Sequence, residues 1–286
     1  MISVVVSGSD GFIGKHLISR LSKEKIKIIK MNKVFGNISK TSTWKKLPKA
    51  NILIHLAAKT FVPDSWKKPK IFFNSNVTGT KMALEYCKKH NAKIIFMSSY
   101  MYGNTKKLPT DEKNKIITNN PLAATKKTAE ELCKVYAKRY GVRTIILRPS
   151  NVFGPNQKSC WLIPEIIKKI KEKEITVNNV SIKRDMVFVD DLVRAIIKCI
   201  YLNNKFEIIN IGSGKSYSIG SILRILQNIS NKKIFIKNKN LTRKNEIMKT
   251  QLNIEKARKI LKWKPIWSLK KGLEITIKEK KDLNEK

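Results

Sequence analysis

The sequence predicts an α/β protein, a doubly wound parallel sheet followed by a smaller C-terminal α/β lobe. Three observations carry that prediction. Short β-branched runs alternate with stretches of helical periodicity through the first half of the chain. A glycine-rich turn at Gly8, Gly11 and Gly14 joins the first of those runs to the first helix. A length of 286 residues exceeds what one ordinary domain needs and leaves room for a second unit.

Residues 2–7 form an apolar run ending in Gly8, and residues 12–21 carry helical spacing, which reads as buried strand, tight turn and helix. Further strands are predicted at 26–31, 52–56, 93–97 and 144–147, with helices at 76–90 and 121–140 between them. Past Arg148 the regularity weakens. Gly154-Pro155 marks a turn, and helices are predicted over 163–173, 191–202 and 218–229. The Lys- and Glu-rich tail after Leu273 reads as a solvated helix end. Residues 1–150 are assigned to dinucleotide binding and 151–286 mainly to substrate binding, with segments returning to the first sheet.

Apolar residues make up 42% and charged residues 28%, the balance of a folded globular protein. A net charge of +39 invites a nucleic-acid reading. Lysine is nevertheless spread through nearly every segment, with no recognised nucleic-acid-binding motif, so a specific nucleic-acid partner is not expected. The charge can help draw in an anionic, phosphate-bearing substrate. Cys87, Cys133, Cys160 and Cys199 are too far apart for a metal knuckle or a redox pair and read as buried thiols. His16, His55 and His90 lack a ligand pattern, so no metal is predicted; His55, ending an apolar strand, reads as a packed, hydrogen-bonded residue. No apolar run reaches the length of a membrane span, and a cytoplasmic location is expected.

The turn Gly8-Ser9-Asp10-Gly11-Phe12-Ile13-Gly14 lies between strand and helix, where backbone amides and the positive helix end meet a pyrophosphate. This Rossmann-type opening implies NAD or NADP. A carboxylate after the second strand would hold the ribose 2′-hydroxyl, and a basic group would accept a 2′-phosphate. Met31, Asn32 and Lys33 stand there, which leans towards NADP.

These residues resemble the extended short-chain dehydrogenases that act on nucleotide sugars, the NAD-dependent epimerase/dehydratase family. Ser7-Gly8 to Gly14 is similar to its T-G-x-x-G-F-I-G opening, and Gly36-Asn37-Ile38 to its G-D-L, with Asn for the Asp that contacts adenine. His55-Leu56-Ala57-Ala58 resembles a cofactor-proximal H-L-A-A, and Asn76 an N-V-x-G-T helix start. Ser98-Ser99-Tyr100-Met101-Tyr102-Gly103 resembles S-S-x-V-Y-G, and Arg148-Pro149-Ser150-Asn151-Val152-Phe153-Gly154-Pro155 resembles R-P-x-N-V-Y-G-P. Arg184-Asp185 with Val189-Asp190-Asp191, Asn210-Ile211-Gly212-Ser213-Gly214 and Leu261-Lys262-Trp263-Lys264-Pro265 complete the series. The resemblance implies hydride transfer at a sugar carbon by an epimerase or dehydratase. It also implies a nucleoside-diphosphate sugar substrate and a homodimer paired through the Asn76 and Pro121 helices. A 4-keto-sugar reductase using NADPH and a catalytically silent dinucleotide-binding protein are the alternatives.

In that family a Tyr-x-x-x-Lys pair and a Ser or Thr handle the proton, because a nearby ammonium lowers the phenol's pKa and the hydroxyl orients the sugar oxygen. Ser98 fits the hydroxyl and Lys126 the lysine, but Leu122 occupies the tyrosine position. Tyr102 and Lys106 match the string in a loop and read as a decoy. Three readings remain open: Tyr100 takes the proton, water and Lys126 supply it, or no chemistry occurs.

The resemblance places Asp10, Phe12, Ile13, Leu56, Ala57, Ala58, Pro149, Asn37 and Ile38 at the cofactor together with the glycines, Asn32, Lys33 and Lys126. Ser99, Asn151, Arg184 and Arg243 go to the substrate, the arginines pairing with diphosphate oxygens. The structural alternatives are an ion pair of Arg184 with Asp185 or Asp190 and a plain surface charge at Arg243. Asp190 or Asp191 is expected to cap the helix that follows, and Trp263 and Trp267 to fill core or interface.

Overall fold

A computed structural model describes residues 1–105, 107–170, 172, 174–231, 235–243 and 245–284, with the backbone alone for 280–284. The first half runs β1 (Ile2–Ser7), α1 (Phe12–Leu21), β2 (Ile26–Met31), α2 (Thr41–Lys45), β3 (Ile52–His55), α3 (Val62–Lys67), α4 (Pro69–Phe73), α5 (Gly79–His90), β4 (Lys93–Met97), α6 (Pro121–Tyr140) and β5 (Thr144–Pro149). The second runs β6 (Asn151–Phe153), α7 (Leu162–Lys169), β7 (Glu174–Val177), β8 (Lys183–Phe188), α8 (Val189–Ile200), β9 (Phe206–Ile211), β10 (Ser216–Ser218), α9 (Ile219–Ser230), β11 (Phe235–Asn238), α10 (Glu255–Leu261) and α11 (Leu269–Asn284).

Six parallel strands in the order β2-β1-β3-β4-β5-β9 form the main sheet. Alternation along each strand sends side chains to two buried layers. Val4, Val6, Ile54, Ile95 and Leu147 pack with Leu17 of α1 and Leu192 and Ile196 of α8. Val5, Leu53, Ile94, Phe96 and Ile146 pack with Leu84 and Cys87 of α5 and Ala129 and Cys133 of α6. The predicted doubly wound sheet is therefore present. Its sixth strand, β9, pairs Ile146 with Ile208 and comes from the C-terminal half.

The rest of that half forms a three-stranded sheet, β10-β8-β6, and a β11-β7 pair. The helix predicted from residue 76 begins at Gly79, since Asn74–Thr78 wind as a wider π turn. The helix predicted to residue 173 ends at Lys169, and Lys171 and Lys173 lie outside the described residues. Asp190 and Asp191 occupy the first turn of α8, but neither caps it: Phe188 holds the cap position without a side-chain bond. Asp191 instead accepts from the backbone N–H groups of Ile266 and Trp267 and from Arg194, fastening the chain before α11 to α8. Trp263 donates its indole N–H to the Asp191 carbonyl, inside the core. Cys87, Cys133 and Cys199 are buried as expected, whereas Cys160 is exposed.

Candidate active site

The chain reverses direction across the sheet between β1 and β3, and the glycine turn lies there, at the carboxyl ends of the strands. Gly8 adopts a φ of +73°, donates its N–H to the Met31 carbonyl at 2.8 Å, and approaches β3 so closely that a Cβ would lie 2.9 Å from the Ala57 nitrogen. At Gly14 a Cβ would lie 2.2 Å from the Gly8 carbonyl oxygen, so only glycine lets α1 start this near the turn. No side chain caps α1 and no acid stands in its first turn, which leaves the helix N-terminus open to an anion.

This turn is one end of a cavity of about 960 Å³. Gly8, Gly11, Phe12, Ile13, Gly14, Leu56, Ala58, Lys126 and Pro149 line it. Asp10 and Asn32 instead line a shallower depression beside the turn, with Lys15 and Lys30. Lys33 is exposed. Asn37 accepts from the Ser39 N–H and hydroxyl, and the Ile38 carbonyl accepts from the Trp44 indole. Neither Asn37 nor Ile38 lines either hollow.

Ser98, immediately after β4, lines the cavity, and its N–H donates to the Leu147 carbonyl. Its hydroxyl is buried without a hydrogen-bond partner among the described residues. Facing it, α6 starts from Pro121 under an Asn120 cap that accepts the Ala123 N–H at 2.9 Å. Leu122 and Lys126, one helical turn apart, share the cavity face. Lys126 is 3% exposed and donates from Nζ to the Met97 carbonyl at 2.7 Å. Burial lowers its pKa to about 8. The same helix presents Thr125 to Asn76, which also clasps the Lys59 backbone and so fixes α6 against α5 and the loop after β3.

Tyr100 lines the cavity, but its hydroxyl donates to the Gly103 carbonyl at 3.0 Å, and burial pushes its pKa up, away from a base's range. Tyr102 is fully buried: it donates to Asn210 and accepts from Arg148, which removes it from any proton transfer at the cavity. Its string partner Lys106 lies outside the described residues.

Ser99, Asn151, Arg184 and Arg243 also line the cavity. Arg184 pairs with neither Asp185 nor Asp190. It bonds Glu246 at 2.6 Å and the Ile247 carbonyl at 2.5 Å. Asp185 is fully buried and accepts from Ser150, Ser213, Gly214 and Leu252, tying β8 to the turn after β9 and to the C-terminal segment. Asp190 faces His16 of α1. Glu246, Asn245, Trp66 and Trp161, which the sequence left unmarked, are also in the wall. Only Glu246 had a usable signal, an acid standing alone in a basic segment. No group of three or more metal-ligating side chains occurs among the described residues, and no helix there is long and apolar enough to cross a membrane.

The NAD dependent epimerase/dehydratase family model matches residues 4–212, which hold the glycine turn, Ser98, Lys126 and the main sheet. The chain belongs to that family. Among its epimerase/dehydratase relatives, a UDP-glucuronate 4-epimerase of Thermodesulfobacterium geofontis is 34% identical over 80% of this chain and 72% of its own length. A GDP-6-deoxy-D-mannose reductase of Pseudomonas aeruginosa is 25% identical over 96% of this chain and 95% of that protein. The crystal structure of a Bacillus cereus UDP-glucuronic acid 4-epimerase, in complex with UDP-glucuronic acid and NAD, superposes with a TM-score of 0.88 at 27% identity, covering 99% of this chain and 100% of that one. The nicotinamide cofactor expected from the glycine turn thus agrees with the family's NAD dependence.

Proposed function

We propose that this enzyme transfers a hydride at a sugar carbon of a nucleoside-diphosphate sugar, as an epimerase or dehydratase does. The observation that carries the reading is the buried Ser98 hydroxyl, unpartnered among the described residues, in a cavity that an anion-ready glycine turn and two arginines also line. A buried hydroxyl without a partner costs free energy unless a ligand satisfies it.

The residues present fit a nicotinamide dinucleotide. The first-turn amides of α1 and the side-chain-free approach at Gly8 and Gly14 would hold its diphosphate, and Leu56, Ala58 and Pro149 would flank its length. When bound, the group supplies a reversible hydride acceptor. Ser98 would donate a hydrogen bond to the reacting sugar oxygen. Arg184 and Arg243 would meet the sugar's diphosphate, Arg184 already oriented by Glu246, and Ser99 and Asn151 would read hydroxyls. A homodimer through α5 and α6 fits Val135 and Tyr140, each half exposed on α6. A cytoplasmic setting fits the free cysteines.

A second reading, an NADPH-dependent 4-keto-sugar reductase, is favoured by the absence of a carboxylate after β2, where Asn32 and Lys33 stand. Incubation with UDP-, GDP- and dTDP-sugars, with and without added NAD or NADPH, separates the two. Conversion with retained NAD supports epimerase or dehydratase chemistry, and stoichiometric NADPH consumption supports the reductase. Folded protein that binds cofactor and converts none of the sugars refutes both and leaves the silent alternative.

A further inference from the structure

Leu122 removes the phenol from the place where the proton is exchanged, so another group must take it if the enzyme turns over. Lys126 stands one turn further along the same face of α6 and lines the cavity itself. Its Nζ is anchored to the carbonyl of Met97, the residue immediately before Ser98, and Ser98 lines the same cavity. One of its hydrogens is spent on that carbonyl. No carboxylate forms an ion pair with it among the described residues: the nearest on its own helix, Glu130, is held through both oxygens by Arg148, at 2.9 and 2.6 Å. The Phe96 ring lies 5.0 Å below it. Tyr100, the rival, has its hydroxyl committed to the Gly103 carbonyl.

We propose that Lys126 is the acid–base residue of this enzyme, in place of the missing tyrosine. When a sugar carbinol is oxidised, its C–H bond breaks and the hydride goes with its electron pair to the oxidised nicotinamide. The O–H bond breaks towards the neutral Lys126 amine, which becomes an ammonium, and a C=O bond forms. On reduction both return, the proton from the ammonium and the hydride to the carbonyl carbon. Ser98 holds the oxygen in both directions.

The ionisable neighbours permit this cycle. Glu130 is paired with Arg148, its charge opposing but not overcoming the effect of burial at Lys126, His55 is held neutral by burial, and burial keeps the Cys133 thiol protonated. The amine, lowered by burial to about 8, is partly free near neutral pH.

The proposal rests on the nucleotide-sugar reading, and the experiment separates the two. Pulsed acetic anhydride labelling across pH, read by mass spectrometry on the peptide holding residue 126, needs no substrate. A midpoint near pH 8 supports the proposal, and titration together with the surface lysines overturns it. On the sugar panel, Lys126→Arg should lose at least about a hundredfold in kcat, while NADH affinity changes less than about tenfold. Lys126→Cys in a Cys160→Ser background, aminoethylated with 2-bromoethylamine, should regain turnover with its pH profile moved to lower pH, because the thioether makes the amine less basic. An active Lys126→Arg, an unmoved profile, or loss of turnover in Tyr100→Phe overturns the proposal. Absence of wild-type turnover on the panel counts against the nucleotide-sugar reading alone, and the labelling midpoint then decides the amine.

Discussion

Ser7 Oγ lies 2.7 Å from His55 Nδ1, joining the last residue of β1 to the last of β3 directly beneath the glycine turn. The same hydroxyl accepts the Ala57 N–H at 3.4 Å. Two residues beyond His55, the Ala57 backbone lies against Gly8.

Burial holds His55 near a pKa of about 3, against an ordinary 6.5. Below 6.5 the unfolded chain takes a proton on this ring that the folded chain refuses, so stability falls as pH drops through that window towards 3. Urea unfolding near pH 7 and near pH 4.5 should show wild type losing about 3 kcal/mol through this residue. His55→Asn should lose that much less over the same interval.

Gly14→Ala forces a methyl onto the Gly8 carbonyl. Overpacking of this kind costs about 1–3 kcal/mol, and relief requires α1 to move off the turn. A lower melting temperature and at least about tenfold weaker NAD(H) binding by calorimetry are expected, since one misplaced hydrogen-bonded phosphate contact is worth about that much.

Ser98→Ala should separate catalysis from stability. The hydroxyl has no hydrogen-bond partner among the described residues, so its removal should raise stability by about 1 kcal/mol or leave it unchanged. Turnover should fall by about a hundredfold. A variant that is both unstable and fully active would contradict the placement of Ser98.

The Arg148–Glu130 pair is almost wholly buried at 2.6 Å. Glu130→Ala leaves a buried guanidinium without its charge partner and should cost about 3–5 kcal/mol in urea denaturation. The double variant Glu130→Leu with Arg148→Met should recover much of that loss, because it removes both charges together.

Much of this architecture could be read in advance. The strands at 2–7, 26–31 and 93–97 match the observed bounds, and the helix at 121–140 matches from cap to terminal glycine, because each has a long periodic pattern and local punctuation. Most of the elements that escaped are short, although β8 has six residues. Five-residue helices such as α2 and α4 and three-residue strands such as β6 and β10 carry too few residues to show a period. β9 was different: Phe206, Ile208, Ile209 and Ile211 form an apolar run bounded by Lys205 and Gly212, a signal obscured by the irregular segments around it.

What the sequence alone determined was local: a glycine turn that tolerates no Cβ, a strand rhythm that demands two covered faces, and a leucine where a phenol was expected. What only the tertiary structure decided was which distant groups meet. Arg184 finds Glu246 sixty-two positions away, Asp185 becomes a knot for three segments, and Lys126 reaches Met97 instead of a carboxylate. Turn sterics and periodicity act within a few bonds and are written residue by residue, whereas the partner of a buried charge depends on which loops close over it, a property of the assembled chain.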